Sequence, residues 1–305
     1  MITYLHSRLQ GGIGMNKSLL KYLAALLLFG SNGIVAGMID LNSYEIVMFR
    51  TLIGSVFLVV FYLIINHRFT FYKHLRSFLF LVLSGISMGV SWLFLYEAYQ
   101  QIGVSIASLG YYCGPVIVMA LSPLIFKERL TKQKLIGFIA VLAGILFVNI
   151  NAVSEKRTGF GVLCALLSAI MYSCMVLFNK KAEDISGVEN STLQLFIAFI
   201  SVLIFTLFKQ GLSFHIQAQD IAPLVFLGLV NTGLGCYLYF SSIGNIKVQT
   251  VAIFGYLEPL SAIIFSVIFL KEKMSVLQTV GAILIIAGAV FAEIKRKQTV
   301  NTVEE

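Results

Sequence analysis

Tyr256–Phe291 reads YLEPLSAIIFSVIFLKEKMSVLQTVGAILIIAGAVF, and 144 positions earlier Tyr112–Phe147 reads YCGPVIVMALSPLIFKERLTKQKLIGFIAVLAGILF. Identities in register include Tyr112/Tyr256, Pro115/Pro259, Ser122/Ser266, Lys127/Lys271, Glu128/Glu272, Gly137/Gly281, Ala143/Ala287, Gly144/Gly288 and Phe147/Phe291. Each copy holds an apolar run broken by a proline, a charged turn, and a second apolar run with glycines seven apart. Apolar composition alone does not place a charged turn and two glycines at the same offsets. The pattern therefore marks an internal duplication.

The surrounding chain shows what is duplicated. Of 305 residues, 58% are hydrophobic and 12% charged, and the mean hydropathy is +0.91. A soluble domain carries about 25% charged residues, so this chain lacks the polar surface needed to face water. Ten apolar segments are read at roughly 19–38, 44–65, 75–97, 104–126, 132–151, 159–180, 191–208, 221–243, 248–270 and 276–294. Each is near the ~20 residues that carry a helix across a bilayer core. Barrel strands alternate and are far shorter, so helices are the reading that satisfies the backbone in lipid. The expected fold is an all-α integral membrane protein of ten transmembrane helices.

Its net charge of +8 is read as a topology signal, with no nucleic-acid partner. With ten spans and a cytoplasmic N-terminus, sixteen of the 22 Lys and Arg fall on the cytoplasmic side and five on the other, while Arg50 lies in a span. That bias places both termini inside. Five spans per copy is odd, so the two halves must be threaded in opposite directions, with KER at 127–129 cytoplasmic and its twin KEK at 271–273 outside. Inverted repeats of this kind are a recurring design of secondary transporters, with the solute site near the midplane between the halves.

Other classes are disfavoured by what is missing. The four cysteines (Cys113, Cys164, Cys174, Cys236) all lie in apolar runs and read as small core residues, and the four histidines lie outside the runs. No HExxH, phosphate loop or nucleophile elbow is present. No cofactor, metal or catalytic set is expected, and ATP is not spent by this chain. Two rivals remain: an intramembrane enzyme, and a membrane sensor or interaction protein without transport.

The two copies, each with a proline-broken fourth span, a Lys/Arg-Glu turn and a glycine-bearing fifth span, resemble the EamA domains of the drug/metabolite transporter superfamily. The likeness rests on GPVIVMALSPLIFKERLT, on GYLEPLSAIIFSVIFLKEKMS, and on EIVMFRTLIGSVF with its early Arg50. It covers essentially Met15 to Ile294. The resemblance implies a carrier of small metabolites, often amino acids or related compounds and drugs, commonly moved outward; the Lys/Arg distribution points to a plasma membrane, and the lack of eukaryotic sorting signals to a bacterial one. The organisation expected is an N-terminal extension over 1–14, with Met15 as the start of translation, first and second EamA repeats over 15–151 and 159–294, and a cytoplasmic tail over 295–305.

Candidate site residues follow from polarity inside the spans. Glu258 sits about ten residues into the ninth span, where an ionisable group is costly and usually faces a cavity or a partner. It suits a proton-coupling or substrate-binding role; the alternative is a protonated group bonded to carbonyls freed by Pro259. Arg50, six residues into the second span, is expected to snorkel to the outer interface, to bind a substrate carboxylate, or to pair with Glu258. Pro115 and Pro259 read as kinks and hinges. Trp92, Tyr96, Tyr112 and Tyr239 are candidates for a pocket lining, with Tyr111 and Tyr237 weaker ones. Asn32 is a substrate candidate that, like Asn231, more readily serves interhelical hydrogen bonds. Glu97 is expected to end the third span.

Overall fold

A computed structural model describes residues 17–65, 68–102, 104–148, 159–211, 214, 216–269, 271 and 275–293. Among these the regular elements are helices: α1 Lys17–Gly30, α2 Asn32–Ala36, α3 Ser43–Ile64, α4 Leu75–Ile102, α5 Val104–Tyr111, α6 Cys113–Phe126 and α7 Lys132–Val148. They continue with α8 Gly159–Lys181, α9 Gly187–Gln210, α10 Ala218–Phe226, a π-helical segment Leu227–Leu234, α11 Gly235–Ile243, α12 Val248–Phe254, α13 Leu257–Phe269 and α14 Val276–Glu293. Among the described residues seven stretches are each long and apolar enough to cross a membrane: Lys17–Ala36, Ser43–Ile64, Leu75–Ile102, Gly159–Lys181, Gly187–Gln210, Ala218–Ile243 and Val248–Phe269. Cys113–Phe126 and Val276–Ala292 are shorter apolar helices. The chain is a multi-pass membrane protein. The extension expected over 1–14, the tail over 295–305, and Glu272 and Lys273 of the second charged turn lie outside the described residues.

The duplication read in the sequence is also a duplication of structure. At an offset of 144, the starts of α3, α5, α6 and α7 fall on those of α9, α12, α13 and α14. Lys127 and Lys271, paired in the two charged turns, both adopt the left-handed conformation, with φ of 55° and 56°. For a side-chain-bearing residue this is uncommon, and it recurs at both twin positions.

The conserved offset of the glycines has a packing reason. A Cβ on Gly137 would lie 2.5 Å from the Gly288 carbonyl oxygen, and one on Gly144 would lie 2.7 Å from that of Gly281. The backbones of α7 and α14 thus touch where only glycine fits, the close approach that replaces hydrophobic drive between helices in lipid. As the number rises along α7 it falls along α14, so the two run antiparallel. Because Gly137 is the twin of Gly281, and Gly144 of Gly288, the contacts map onto each other under a two-fold rotation. Tyr112 and Tyr256, also twins, meet in the same way: the Tyr256 hydroxyl donates to the Tyr112 carbonyl at 2.7 Å.

Both proline-bearing spans are broken, but the break precedes the proline. The helices part at Tyr112 and at Gly255–Tyr256, and Pro115 and Pro259 then sit in the first turns of α6 and α13. A first-turn proline has no hydrogen bond to lose. The expected mid-helix kink is therefore replaced by two half-helices joined end to end. The third span also differs from expectation: α4 passes Glu97 and ends at Ile102, where Gln101 hydrogen-bonds back to Glu97 at 3.1 Å and Gln100 to Ser43 at 3.0 Å.

One end of the bundle is held by two sets of ties, one across the halves and one within the second half. The Glu128 carboxylate accepts the backbone N–H groups of Val248 and Gln249 at 2.9 and 3.1 Å, capping α12. A carboxylate there satisfies orphan donors and complements the helix dipole. Lys180 Nζ donates to the carbonyls of Ile243, Gly244 and Ile246 at 3.1, 2.8 and 2.7 Å, closing the C-terminal end of α11. At the opposite end Asp220 accepts from the Asp40 amide at 2.9 Å, and Asn42 and Glu45 form a reciprocal capping box at the start of α3. Between α4 and α8, Ser91 and Ser168 each donate to the other's carbonyl, at 2.9 and 2.8 Å.

Candidate functional site

Two adjoining hollows lie between the helices of the two halves. The larger encloses about 350 Å³ and is lined by residues that include Asn32, Arg50, Trp92, Tyr96, Tyr99, Tyr112 and Glu258. The smaller encloses about 50 Å³ and adds Tyr172, Cys236 and Tyr239. Phe29, Asn32, Trp92, Tyr111 and Glu258 line both. The larger space is in the range of pockets that hold small organic ligands. It reaches Ala36, Gly37 and Ser43 at one end of the bundle, away from the end tied by Glu128 and Lys180.

Arg50 is the organising cation, and it does not snorkel. It is 2% exposed. Nε donates to Thr232 Oγ1 at 2.9 Å, Nη1 to the Tyr96 hydroxyl at 3.1 Å, and Nη2 to Asn32 Oδ1 at 3.5 Å. The Trp92 ring lies 4.7 Å from the guanidinium carbon, close enough for a cation–π contact. These acceptors come from α2, α4 and the π-helical segment, and they offset the desolvation that would otherwise drive the side chain to the interface. The expected interfacial position is corrected for this reason: six residues into a span is deep when neighbouring helices supply the partners.

Glu258 stands in the first turn of α13, where the helix dipole favours an anion. It is half-buried and lines both hollows. Among the described residues nothing hydrogen-bonds its carboxylate, so the alternative of a carboxyl tied to carbonyls freed by Pro259 is not what the structure holds. No ion pair joins it to Arg50 in this conformation. The cavity lining thus holds a hydrogen-bonded guanidinium and a carboxyl group without a hydrogen-bond partner among the described residues.

The aromatic candidates divide. Trp92, Tyr96, Tyr112 and Tyr239 all line the hollows. The Tyr239 ring packs 5.3 Å from Tyr22 and 5.9 Å from Phe29, and its hydroxyl lies 3.4 Å from that of Tyr172. Tyr237 faces elsewhere, edge-on to Phe61 at 5.9 Å and under Lys21. Pro115 and Pro259 flank the cavity through the half-helix junctions and do not line it. Asn231 donates to Leu28 O, Ser31 Oγ and Asn32 Oδ1 at 3.2, 2.8 and 3.0 Å, the interhelical role expected of it.

Several lining residues escaped sequence reasoning. Tyr172 belongs to an apolar run and carries no distinguishing spacing, and Tyr99 lies past Glu97, the expected end of the third span. Thr232, which lines neither hollow but accepts from Arg50, lies in the π-helical segment Leu227–Leu234, where the sequence shows only the glycine density of Gly228, Gly233 and Gly235. Among the described residues no group of three or more His, Cys, Asp or Glu could hold a metal ion.

Comparison with known proteins fits this geometry. The chain is similar to the uncharacterized transporter YxxF of Bacillus subtilis, 25% identical over 94% of this chain and 93% of that one. It is similar to a probable amino-acid metabolite efflux pump of Salmonella typhimurium, 28% identical over 60% and 65%, and to PecM of Dickeya dadantii, 21% identical over 73% and 77%. A crystal structure of 16% identity superposes with a TM-score of 0.77 over 90% of this chain and 97% of its own, a likeness of fold. The model of the EamA-like transporter family matches residues 16–150 and again 159–293. Two matches that together span nearly all of the chain make it a member of the EamA-like transporter family, within the drug/metabolite transporter superfamily, and a membrane transporter of small molecules.

Proposed function

We propose that this protein is a secondary carrier of ten spans, threaded as two inverted five-helix halves, that exports small organic metabolites by alternating access across a bacterial plasma membrane. Amino acids and related compounds are the first cargo class, with drugs of similar shape behind them. The observation that carries this reading is the ~350 Å³ cavity between the halves, with Arg50 and Glu258 in one lining and aromatic faces around them. Arg50 would receive a carboxylate and Glu258 an ammonium group or a proton, while Trp92, Tyr96, Tyr112 and Tyr239 cover the apolar body.

The antiparallel glycine contact of α7 with α14 and the meeting of Tyr112 with Tyr256 support the inversion. With both termini cytoplasmic, as the Lys/Arg bias suggests, the end at Ala36–Ser43 is external and the Glu128–Lys180 ties are internal. The conformation is then outward-facing. Pro115 and Pro259 mark the junctions about which half-helices would swing. The relative named as an amino-acid metabolite efflux pump favours export and this cargo class.

Two experiments test the proposal. Metabolite profiles of cells with and without the protein should differ outside the cell in amino-acid-like solutes. Purified protein in liposomes should then exchange labelled L-leucine against unlabelled L-leucine. Absence of flux with intact ligand binding would support a sensor, and chemical conversion without a second compartment would support an enzyme.

A further inference from the structure

The π-helical segment has a role that neither its length nor its apolar composition requires. In a regular helix a threonine hydroxyl bonds a carbonyl three or four residues back; Thr51 does so, to Val47 and Met48. Thr232 instead reaches five residues back, to the Leu227 carbonyl at 2.8 Å, through the wide turn of the π segment. A hydroxyl has one proton, and here it is spent on Leu227. A lone pair is thereby left facing Arg50 Nε at 2.9 Å. The preceding residue, Asn231, donates to Asn32 Oδ1 at 3.0 Å, and that same oxygen accepts from Arg50 Nη2.

Two consecutive residues of one π turn therefore fix the guanidinium from the second half of the chain, one directly and one through Asn32. Tyr96 takes a third N–H, and Trp92 fixes the plane. Of the five guanidinium N–H groups, one on each Nη nitrogen is unspent among the described residues. Two parallel donors on the outer nitrogens are what a carboxylate needs for bidentate binding.

We propose that Thr232 is a positioning residue for cargo binding: held by the π turn, it orients Arg50 so that its two free Nη–H groups form the carboxylate receptor. This rests on the reading of Arg50 as the carboxylate site. The arrangement also supplies its own reporter, since Trp92, against the guanidinium, is the only tryptophan in the chain.

The test uses the purified full-length protein, with Trp92 emission followed during titration with L-leucine and, separately, L-leucinamide, which has the same body without the carboxylate. Wild type should respond to leucine and hardly to leucinamide. Thr232→Val keeps the shape and loses the acceptor; it should raise the half-saturating leucine concentration about tenfold or more, shift the ligand-free Trp92 emission, and raise KM in liposome exchange more than it lowers maximal flux. Thr232→Ser restores the hydroxyl and should recover most of the affinity, which a packing defect would not allow. Should Thr232→Val retain wild-type half-saturation and emission while Arg50→Gln has lost binding, the positioning role is wrong and the receptor stands. Should Arg50→Gln bind leucine as wild type does, or leucinamide bind equally well, or wild type fail to respond to leucine, the receptor reading itself falls and the positioning role with it.

Discussion

The third span of the first half and the corresponding span of the second occupy equivalent places, yet one is regular and the other is not. α4 runs unbroken for 28 residues, whereas Ala218–Ile243 carries eight π-helical residues in its middle. The regular span presents Trp92 and Tyr96; the irregular one presents Thr232 and Tyr239. The contrast extends through the site. At the 144-residue offset Asn32 faces Val176, Arg50 faces Gln194, Thr232 faces Met88 and Glu258 faces Gly114. By comparison, what holds the halves together is kept in both copies: Tyr112/Tyr256, Gly137/Gly281, Gly144/Gly288 and the left-handed lysines. On the proposed alternating-access reading, the scaffold is duplicated because its two copies would exchange roles. On the same reading, the groups that would meet the cargo need no twin, since a small solute has different ends.

Exchanging twin residues breaks this comparison most strongly at Arg50. Arg50→Gln writes the second copy's residue into the first and removes the buried cation from Thr232, Tyr96 and Asn32. Transport measured as kcat/KM for leucine in liposomes should fall roughly a hundredfold. Flux within a few-fold of wild type would show that the asymmetry at this position is incidental.

Glu258→Gln sharpens the same contrast with a more selective loss. If Glu258 carries the proton, flux driven by a pH gradient should vanish while leucine–leucine exchange persists. Undiminished pH-driven flux in the variant would remove Glu258 from coupling and leave it only a cargo contact.

The ties at one end of the bundle give a smaller effect. Lys180→Ala removes three charge-assisted bonds to the end of α11. It should move the conformational equilibrium toward the opposite opening by about tenfold, read as faster thiol labelling of positions near Gly244. Labelling at the wild-type rate would show that Lys180 only stabilises the loop.

The smallest effect on transport belongs to the symmetric positions, which bear on stability. Gly144→Ala and its twin Gly288→Ala place methyl groups against the carbonyl oxygens of Gly281 and Gly137 respectively, each at 2.7 Å, and each should destabilise by about 1–3 kcal/mol in denaturation. The two losses should be similar. A large inequality would mean that the α7–α14 contact is not built on the two-fold relation of its glycines.

Much of the fold was legible in the sequence because lipid imposes few choices. An apolar run of about 20 residues in a bilayer is a helix, and a repeated charged turn fixes the register of the copies. The glycine pairs announced a close approach but not their crosswise partners. At the site, residue type carried further than position. Glu258 and the deep aromatics stood out because polar or amphipathic groups in an apolar run need a reason. Arg50 was misplaced, since its depth depends on helices that its own span does not encode. Thr232 was invisible because a π turn leaves the apolar pattern intact, and Tyr237 was overread because aromatic type does not say which way a ring points. The prolines were read as kinks where the chain had already parted three or four residues before them.

The central claim is that the halves are inverted around the cavity, and the twin turns test it most directly. In a chain whose native cysteines are replaced, Lys127→Cys and Lys271→Cys would each be exposed to a membrane-impermeant maleimide in intact cells and again after permeabilisation. The account predicts labelling at position 271 in intact cells and at position 127 only once the membrane is opened. Labelling of both positions from the same side would contradict it.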